Sequence, residues 1–118
     1  MKLSKLGQKL SDAGIKIVFD AKEEDIRISD CFSDKRDIDY ITEQYKYGNE
    51  AAWFCAIVIL EFNEVQSDIK YLGKCSYYSF DRFTGSNNDY FDSMLLTCYN
   101  SLKAKFEVSR LELPLITF

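Results

Sequence analysis

The longest apolar run of the chain lies near its middle and predicts the central strand of a sheet. Residues 51–60 are ten apolar residues without interruption, flanked by Asn49 and Asn63. The run is too short to cross a bilayer as a helix, which takes about 20 residues. It lacks the polar face of an amphipathic helix, and its second half is rich in β-branched residues. We therefore predict a strand in the middle of a sheet, covered on both faces.

The residues before this run predict two helices and a β-hairpin. Apolar residues recur at helical spacing over residues 3–13, and Gly14 follows as a stop signal. Residues 15–20 and 26–28 alternate between apolar and polar positions on either side of a charged break, which is typical of a hairpin. A second helix is predicted over residues 35–47. Its expected N-cap is Ser33 or Asp34, Gly48-Asn49 ends it, and its inward stripe is Ile38, Ile41 and Tyr45.

The residues after the run predict a second long strand and a long helix. A polar loop at residues 63–68 leads into a strand at residues 69–78, the antiparallel neighbour of the central strand, with Gly73 marking a bulge or a close backbone approach. Asn88 is the expected N-cap of the last helix. Its buried positions are spaced by three and four residues: Phe91, Met94, Leu95, Cys98, Leu102 and Phe106. The tail contains Pro114, so we predict an extended edge segment packed on the body.

Together these elements predict one domain, residues 1–118, of the α+β class. The expected order is α-β-β-α-β-β-α, followed by the extended C-terminal tail. Two hairpins favour a mostly antiparallel sheet of about four strands with helices packed on it. The N-terminus is basic but lacks the apolar run of a signal peptide, and no stretch is long enough to span a membrane. We therefore expect a cytoplasmic protein that has no membrane partner.

The composition argues against the common kinds of catalysis. The chain has no histidine, which excludes Ser-His-Asp triads and His-assisted cysteine nucleophiles. It also lacks the glycine-rich phosphate-binding motifs and the nucleophile elbow. Asp81, Asp89 and Asp92 lie near one turn and leave carboxylate catalysis open, although helix capping explains two of them more simply. We therefore predict a protein that is not an enzyme, with no cofactor and no metal.

Four cysteines are interpreted as reduced thiols of the core. They are separated by 24, 20 and 23 residues, and they are Cys31, Cys55, Cys75 and Cys98. No CxxC pair is present, whereas zinc sites of four cysteines usually bring their ligands in close pairs. A free cysteine among apolar neighbours behaves as a small hydrophobic residue. A disulfide or a metal site is the alternative.

The negative charge is concentrated in one segment. The net charge is −4, and residues 21–50 alone carry nine acidic and five basic side chains. Direct binding to nucleic acid is therefore not favoured, since it requires a basic patch. The acidic residues are either a solvated surface or a negative surface that docks on the nucleic-acid groove of another protein. The residues assigned to this surface are Glu23, Glu24, Asp25, Asp34, Asp37 and Asp39.

Tyrosines are the other candidate contact residues. The chain has eight, and four of them fall off the predicted inward stripes: Tyr40, Tyr47, Tyr78 and Tyr99. Tyrosine combines a large rigid ring with a polar tip and is enriched in interfaces. The alternative is that these rings partly cover the sheet edges. We assign Tyr40, Tyr47 and Tyr78 to the partner-binding surface.

Three blocks of the C-terminal half carry a family resemblance. They are residues 48–55 (GNEAAWFC), residues 71–77 (YLGKCSY) and residues 89–94 (DYFDSM). The pattern resembles small proteins of bacteriophages, prophages and plasmids in which an AWFC-type strand, a YLGxCSY strand and a DYFDxM helix start recur in this order. The resemblance implies a mobile-element origin and an anti-defence role of the anti-CRISPR kind, and it supplies no catalytic residues.

These observations lead to two main hypotheses about function. The first is a non-enzymatic protein of a phage or mobile element that binds and inhibits a host protein or ribonucleoprotein complex, either a CRISPR-Cas-like defence system or another nucleic-acid-processing complex. The alternative is a small nucleic-acid-binding module, because helices on one face of an antiparallel sheet also suit RNA binding.

Overall fold

An antiparallel sheet of four strands, with helices on one face, forms the centre of the fold. The computed structural model describes residues 1–87 and 89–117. Its elements in chain order are α1 (Lys5–Asp12), β1 (Lys16–Lys22), a 3₁₀ turn (Ile28–Asp30), α2 (Lys35–Lys46), a 3₁₀ turn (Glu50–Ala52), β2 (Phe54–Phe62), β3 (Val65–Gln66), β4 (Lys70–Cys75), α3 (Phe80–Thr84) and α4 (Tyr90–Ser109). The predicted α+β class and antiparallel sheet are confirmed.

The central position of β2 is also confirmed. β1 pairs with one edge of β2 over seven positions, from Lys16 opposite Glu61 to Lys22 opposite Cys55. The other edge of β2 is shared by β3 and β4, both antiparallel. This central strand therefore connects every other strand of the sheet.

The predicted hairpin between residues 15–20 and 26–28 is wrong. β1 pairs with β2 instead, and residues 26–28 lead into the first 3₁₀ turn. The indole Nε1 of Trp53 donates a hydrogen bond to the carbonyl of Ile26 at 2.8 Å, which holds this segment beyond the end of the sheet. The charged break offers no Asn-Gly or Asp-Gly turn, so nothing local favours a tight hairpin over the longer ladder with β2.

β2 is covered on one face only, so the prediction of a strand buried on both faces is wrong. Phe54, Ala56, Val58 and Leu60 are buried, whereas the alternate residues between them are half-buried. The buried side chains share a core with residues of α1, α3 and α4. α2 instead packs on the two 3₁₀ turns, at one end of the sheet. Among the described residues, the helices that pack on β2 all lie on this one face, and none of them covers the opposite face.

A cluster of aromatic rings joins the sheet to the helices. Phe83 of α3 is fully buried, and its ring centroid lies 4.9–5.8 Å from those of Phe19, Phe54, Tyr77 and Phe91. The hydrophobic pattern gives no sign of α3, because a helix of five residues is too short to show a period. Ser79 caps this helix by accepting a hydrogen bond from the backbone N–H of Arg82. The strand predicted at residues 69–78 is therefore shorter than expected and ends at Cys75, before the chain turns into α3.

The predicted irregularity at Gly73 is confirmed. The register of β4 against β2 shifts between Phe54 and Ala56, and Lys74 adopts a left-handed backbone conformation with φ of 59°. The shift places Cys75 in the core while Tyr71 stays 56% exposed. These two residues therefore lie on different faces of the sheet, whereas a strand without a bulge would place positions 71 and 75 on the same face.

α4 confirms the prediction of a long C-terminal helix. All six of its predicted inward residues are buried: Phe91, Met94, Leu95, Cys98, Leu102 and Phe106. Asp89 is the N-cap, and the predicted cap Asn88 lies outside the described residues. Tyr99 is only 3% exposed, so its assignment to the helix exterior is wrong.

The burial of Tyr99 follows from the C-terminal tail. Its hydroxyl donates to the carbonyl of Pro114 at 2.8 Å and accepts from the backbone N–H of Ile116 at 3.2 Å. Leu113 and Ile116 pack against the core. The prediction that the tail packs on the body is confirmed, but the structure assigns no strand to residues 111–117 and pairs the tail with no edge of the sheet.

Tyr99→Phe tests how the tail is held. The change removes two hydrogen bonds of a buried hydroxyl, and we expect a loss of about 1–2 kcal/mol in the free energy of unfolding. Denaturant titration measures this loss, and amide exchange of residues 113–116 should accelerate. The exposed residue Tyr90 provides the matched control, and Tyr90→Phe should change stability by less than about 0.5 kcal/mol. Equal effects of both changes would contradict this role.

None of the helices in residues 1–87 and 89–117 combines the length and the apolar character needed to cross a membrane.

Candidate protein-binding site

Residues 23–50, which we call the acidic lobe, are held at one end of the sheet by a small second core. Ile41, Ala52 and Trp53 are buried together there, and Ile28 and Phe32 pack against them. The rings of Phe32 and Trp53 meet edge to face with centroids 6.1 Å apart. The lobe carries nine acidic and four basic side chains, a net charge of −5. Its backbone is therefore anchored while its charges face outward.

Five of the six predicted acidic contact residues are exposed: Glu23, Asp25, Asp34, Asp37 and Asp39. Asp34 is the N-cap of α2, as predicted, and accepts from the backbone N–H of Arg36 at 2.9 Å. Its carboxylate also lies 3.7 Å from the guanidinium of Arg36. The side chains of the other four make no hydrogen bond or ion pair with any residue that the structure describes, so their charges are available to a partner.

Glu24 differs from its neighbours because it has a structural role. Its Oε2 accepts from the backbone N–H of Lys74 at 2.6 Å, and its Oε1 accepts from that of Ile26 at 3.2 Å. A Cβ atom at Gly73 would lie 2.7 Å from the same carboxylate, so a side chain there would displace it. This carboxylate therefore ties the acidic lobe to the bulge of β4.

Glu24→Ala should be more destabilising than the same change at its neighbours. The variant leaves the Lys74 N–H without its charged acceptor, and we expect a loss of about 1–3 kcal/mol. Glu23→Ala and Asp25→Ala are the matched controls and should stay within about 0.5 kcal/mol of the parent. Urea titration of the three variants measures the difference. Losses of similar size in all three would show that the bridge to β4 adds no stability.

The predicted contact tyrosines are exposed, and two of them line one cleft. Tyr40, Tyr47 and Tyr78 have exposed fractions of 57%, 77% and 71%. A cleft of about 280 Å³ between α2 and residues 76–78 brings Asp37, Tyr40 and Tyr78 together. Tyr47, the C-cap of α2, does not line it. Three of the nine predicted contact residues thus meet at one place.

Two hydrogen bonds fix the two walls of this cleft. The side-chain amide of Asn49 donates to the carbonyl of Tyr78 at 3.1 Å, and the backbone N–H of Tyr77 donates to the carbonyl of Ala51 at 2.8 Å. The cleft also includes Gln44 and Ser76, which the sequence pattern did not single out. No signal could have found them, because the cleft exists only where the chain leaves β4 and passes α2.

The three carboxylates considered for catalysis all accept hydrogen bonds within the fold. Asp81 accepts from the backbone N–H of Lys2 at 3.0 Å. Asp89 accepts from the N–H of Tyr90 as the cap of α4, and Asp92 accepts from the hydroxyl of Ser4. Asp81 and Asp92 tie the N-terminus and the start of α1 to α3 and α4, and Asp89 caps α4, so each carboxylate has a structural role.

The four cysteines are free, and they occupy two kinds of environment. Cys75 and Cys98 are buried in the core, as predicted, whereas Cys31 and Cys55 are only half-buried. Burial raises the pKa of the Cys75 thiol from 9.0 to about 11, and it also raises those of Cys98 and Cys55. Among the described residues, no group of three or more His, Cys, Asp or Glu side chains is arranged to hold a metal ion.

Thiol labelling in native buffer should separate these two environments. A pKa about two units above the ordinary value lowers the thiolate fraction of Cys75 about a hundredfold at neutral pH. We expect Cys75 and Cys98 to react only after denaturant is added, and Cys31 and Cys55 to react earlier. Mass spectrometry of peptides after timed alkylation measures the order. Rapid labelling of Cys98 in the native protein would contradict the described core.

The uncovered sheet face is the second exposed surface of note. Cross-strand pairing places Val18, Ile57, Ile59 and Tyr71 on this face. The aliphatic residues are half-buried, and their neighbours Lys16 and Glu61 have opposite charges. Its architecture fits the alternative of a sheet that binds RNA, but its side chains form no basic stripe.

Comparisons with protein-family models, with curated proteins and with solved structures found nothing that matches this chain.

Proposed function

We propose that this protein is a non-enzymatic inhibitor of mobile-element origin that binds a host defence or nucleic-acid-processing complex through its acidic lobe. The observation that carries the proposal is a set of exposed carboxylates on an anchored lobe that make no hydrogen bond or ion pair with any described residue: Glu23, Asp25, Asp37 and Asp39. The partner is a basic protein surface of the kind that otherwise contacts nucleic acid.

Electrostatics supports this choice of partner. Charges of one sign on an ordered surface steer a partner of opposite sign and fix its orientation. Anchoring by Trp53 and Ile41 reduces the entropy lost on binding, since the lobe need not fold at that moment. Exposed Tyr40 and Tyr78 at the same end add rigid apolar area to the charged contact.

The surface of the molecule is large enough for a specific complex. A standard interface buries about 800 Å² on each partner. The molecule exposes 7727 Å², so such an interface takes about a tenth of its surface. The biological setting, a phage or plasmid protein acting in the host cytoplasm, is proposed from the resemblance of the AWFC, YLGxCSY and DYFDxM blocks.

Affinity capture from host cells that carry a defence system tests the proposal. The bait is the parent protein, compared with a Glu23→Lys, Asp25→Lys, Asp39→Lys triple variant in nuclease-treated extract. A matched control reverses three exposed acids outside the lobe, Glu64, Glu107 and Glu112, and therefore has the same net charge. We expect a complex retained by the parent and the control and lost by the lobe variant. Recovery of the same proteins by all three baits would contradict the proposal.

The second candidate function is direct nucleic-acid binding on the uncovered sheet face. The arrangement of α1, α3 and α4 on the opposite face favours it. In that case the protein alone should bind single-stranded RNA with a steep salt dependence, and Tyr71→Ala should weaken binding. Absence of binding to bare RNA at low salt would eliminate this candidate.

A further inference from the structure

We infer that the cleft between α2 and residues 76–78 receives an arginine side chain of the partner. The inference rests on the proposed function in one respect, namely that the partner presents a basic surface. Beyond that function, the inference specifies where the partner is anchored and which of its chemical groups is recognised, a guanidinium. The residues that carry it are Asp37, Tyr40, Gln44 and Tyr78.

The polar groups in the cleft match a planar cation. Among the described residues that line it, Asp37 is the single charged one. Its carboxylate makes no hydrogen bond or ion pair with any residue that the structure describes. The side-chain amide of Gln44 is likewise uncommitted, whereas both ends of the Asn49 amide are used within the fold. One free carboxylate and one free amide oxygen can accept the several N–H donors of a guanidinium.

The aromatic groups favour the same ligand. Tyr40 and Tyr78 expose more than half of their surface beside the cleft. Tyr78 is already engaged by the guanidinium of Arg82, whose carbon lies 5.5 Å from its ring centroid, so Tyr40 is the ring on which an incoming cation would stack. A guanidinium stacks on aromatic faces and is weakly hydrated, whereas the ammonium of lysine is compact and strongly hydrated.

The size of the cleft is compatible with a single side chain. Its volume is about 280 Å³, near the lower end of the range of about 300–1,000 Å³ that is typical of small-molecule sites. An extended arginine side chain would enter between α2 and residues 76–78 and leave its backbone on the protein surface.

Nuclear magnetic resonance titration of the ¹⁵N-labelled protein tests the inference without knowledge of the partner. The probes are N-acetyl-arginine methylamide and the corresponding lysine compound. We expect saturable shifts at residues 37–44 and 76–78 with the arginine probe, in the millimolar range, and weaker effects with lysine. Asp37→Asn should weaken arginine binding about tenfold. Asp39→Asn should change it less than about twofold, because Asp39 lies two positions along α2 and outside the cleft.

A second matched pair tests the aromatic part. Tyr40→Ala should weaken the arginine probe, whereas Tyr47→Ala, at an exposed tyrosine outside the cleft, should not. Shifts that do not saturate, equal binding of lysine, or an unchanged affinity of the Asp37→Asn variant would overturn the inference. If the arginine probe fails but the lobe triple variant still loses its captured complex, the proposed function stands and only the arginine anchor is lost.

Discussion

Reversal of three lobe charges should slow association with the captured complex by about 10- to 100-fold at low salt, because the attraction between opposite charges is removed and replaced by repulsion. The variant replaces Glu23, Asp25 and Asp39 with Lys. All three are exposed and make no hydrogen bond or ion pair within the part of the chain that the structure describes. The effect should be largest at about 0.01 M salt, where the screening length is about 30 Å and charges interact over that distance. At about 0.15 M salt it should shrink, since the screening length falls to about 8 Å.

Glu24 is left unchanged in this variant, because its carboxylate supports the fold. The matched control, with Lys at Glu64, Glu107 and Glu112, has the same net charge but keeps the lobe. It should associate within about threefold of the parent. Surface plasmon resonance at the two salt concentrations measures both rates. Equal slowing by both variants would mean that net charge alone matters, and unchanged rates in both would contradict a role for the acidic lobe.

Leu60→Ala and Ile59→Ala should differ greatly in stability although they are adjacent in β2. Leu60 is fully buried among residues of α1 and α4, and truncation removes apolar contacts and leaves a cavity. We expect a loss of about 3–5 kcal/mol. Ile59 lies on the uncovered face, so its truncation should cost about 1 kcal/mol or less.

Urea titration of the two variants at equal protein concentration measures this contrast. The comparison is informative because the two residues have the same volume and lie on the same strand. Similar losses at both positions would contradict a sheet covered on one face. A loss at Ile59 that grows with protein concentration would show that a second copy covers that face.

The helices that span several turns were predictable from local pattern. α1, α2 and α4 carry apolar residues at helical spacing. Ser4 and Asp34 cap the starts of α1 and α2, and Gly14 follows the end of α1. The partner of β1 was not predictable in this way. Its ladder joins residues separated by about 40 positions, and pairing at that distance leaves no local signature.

The local pattern also could not show whether one or both faces of β2 are covered by helices. An unbroken apolar run fits a strand buried on both faces, yet Cys55, Ile57 and Ile59 are only half-buried. The sequence of the run does not indicate on which face of β2 the helices pack. Tyr99 shows the same limit, because its burial depends on a tail that folds back about 15 residues later.

The candidate site was predictable in its charges but not in its geometry. The acidic run and the exposed tyrosines follow from composition and helical position. The difference between Glu24 and Glu23 depends on the bulge at Gly73, which brings a backbone N–H within reach of one carboxylate only. The cleft that joins Asp37 to Tyr78 depends on where the chain leaves β4.

Competition between this protein and nucleic acid for the captured complex tests the central claim most directly. The purified complex is loaded with its labelled nucleic acid, and the protein is added at increasing concentration while fluorescence anisotropy is recorded. We expect displacement of the nucleic acid by the parent protein and a much weaker effect of the Glu23→Lys, Asp25→Lys, Asp39→Lys variant. A stable ternary complex that contains both the protein and the nucleic acid would contradict the claim that the acidic lobe occupies the nucleic-acid surface.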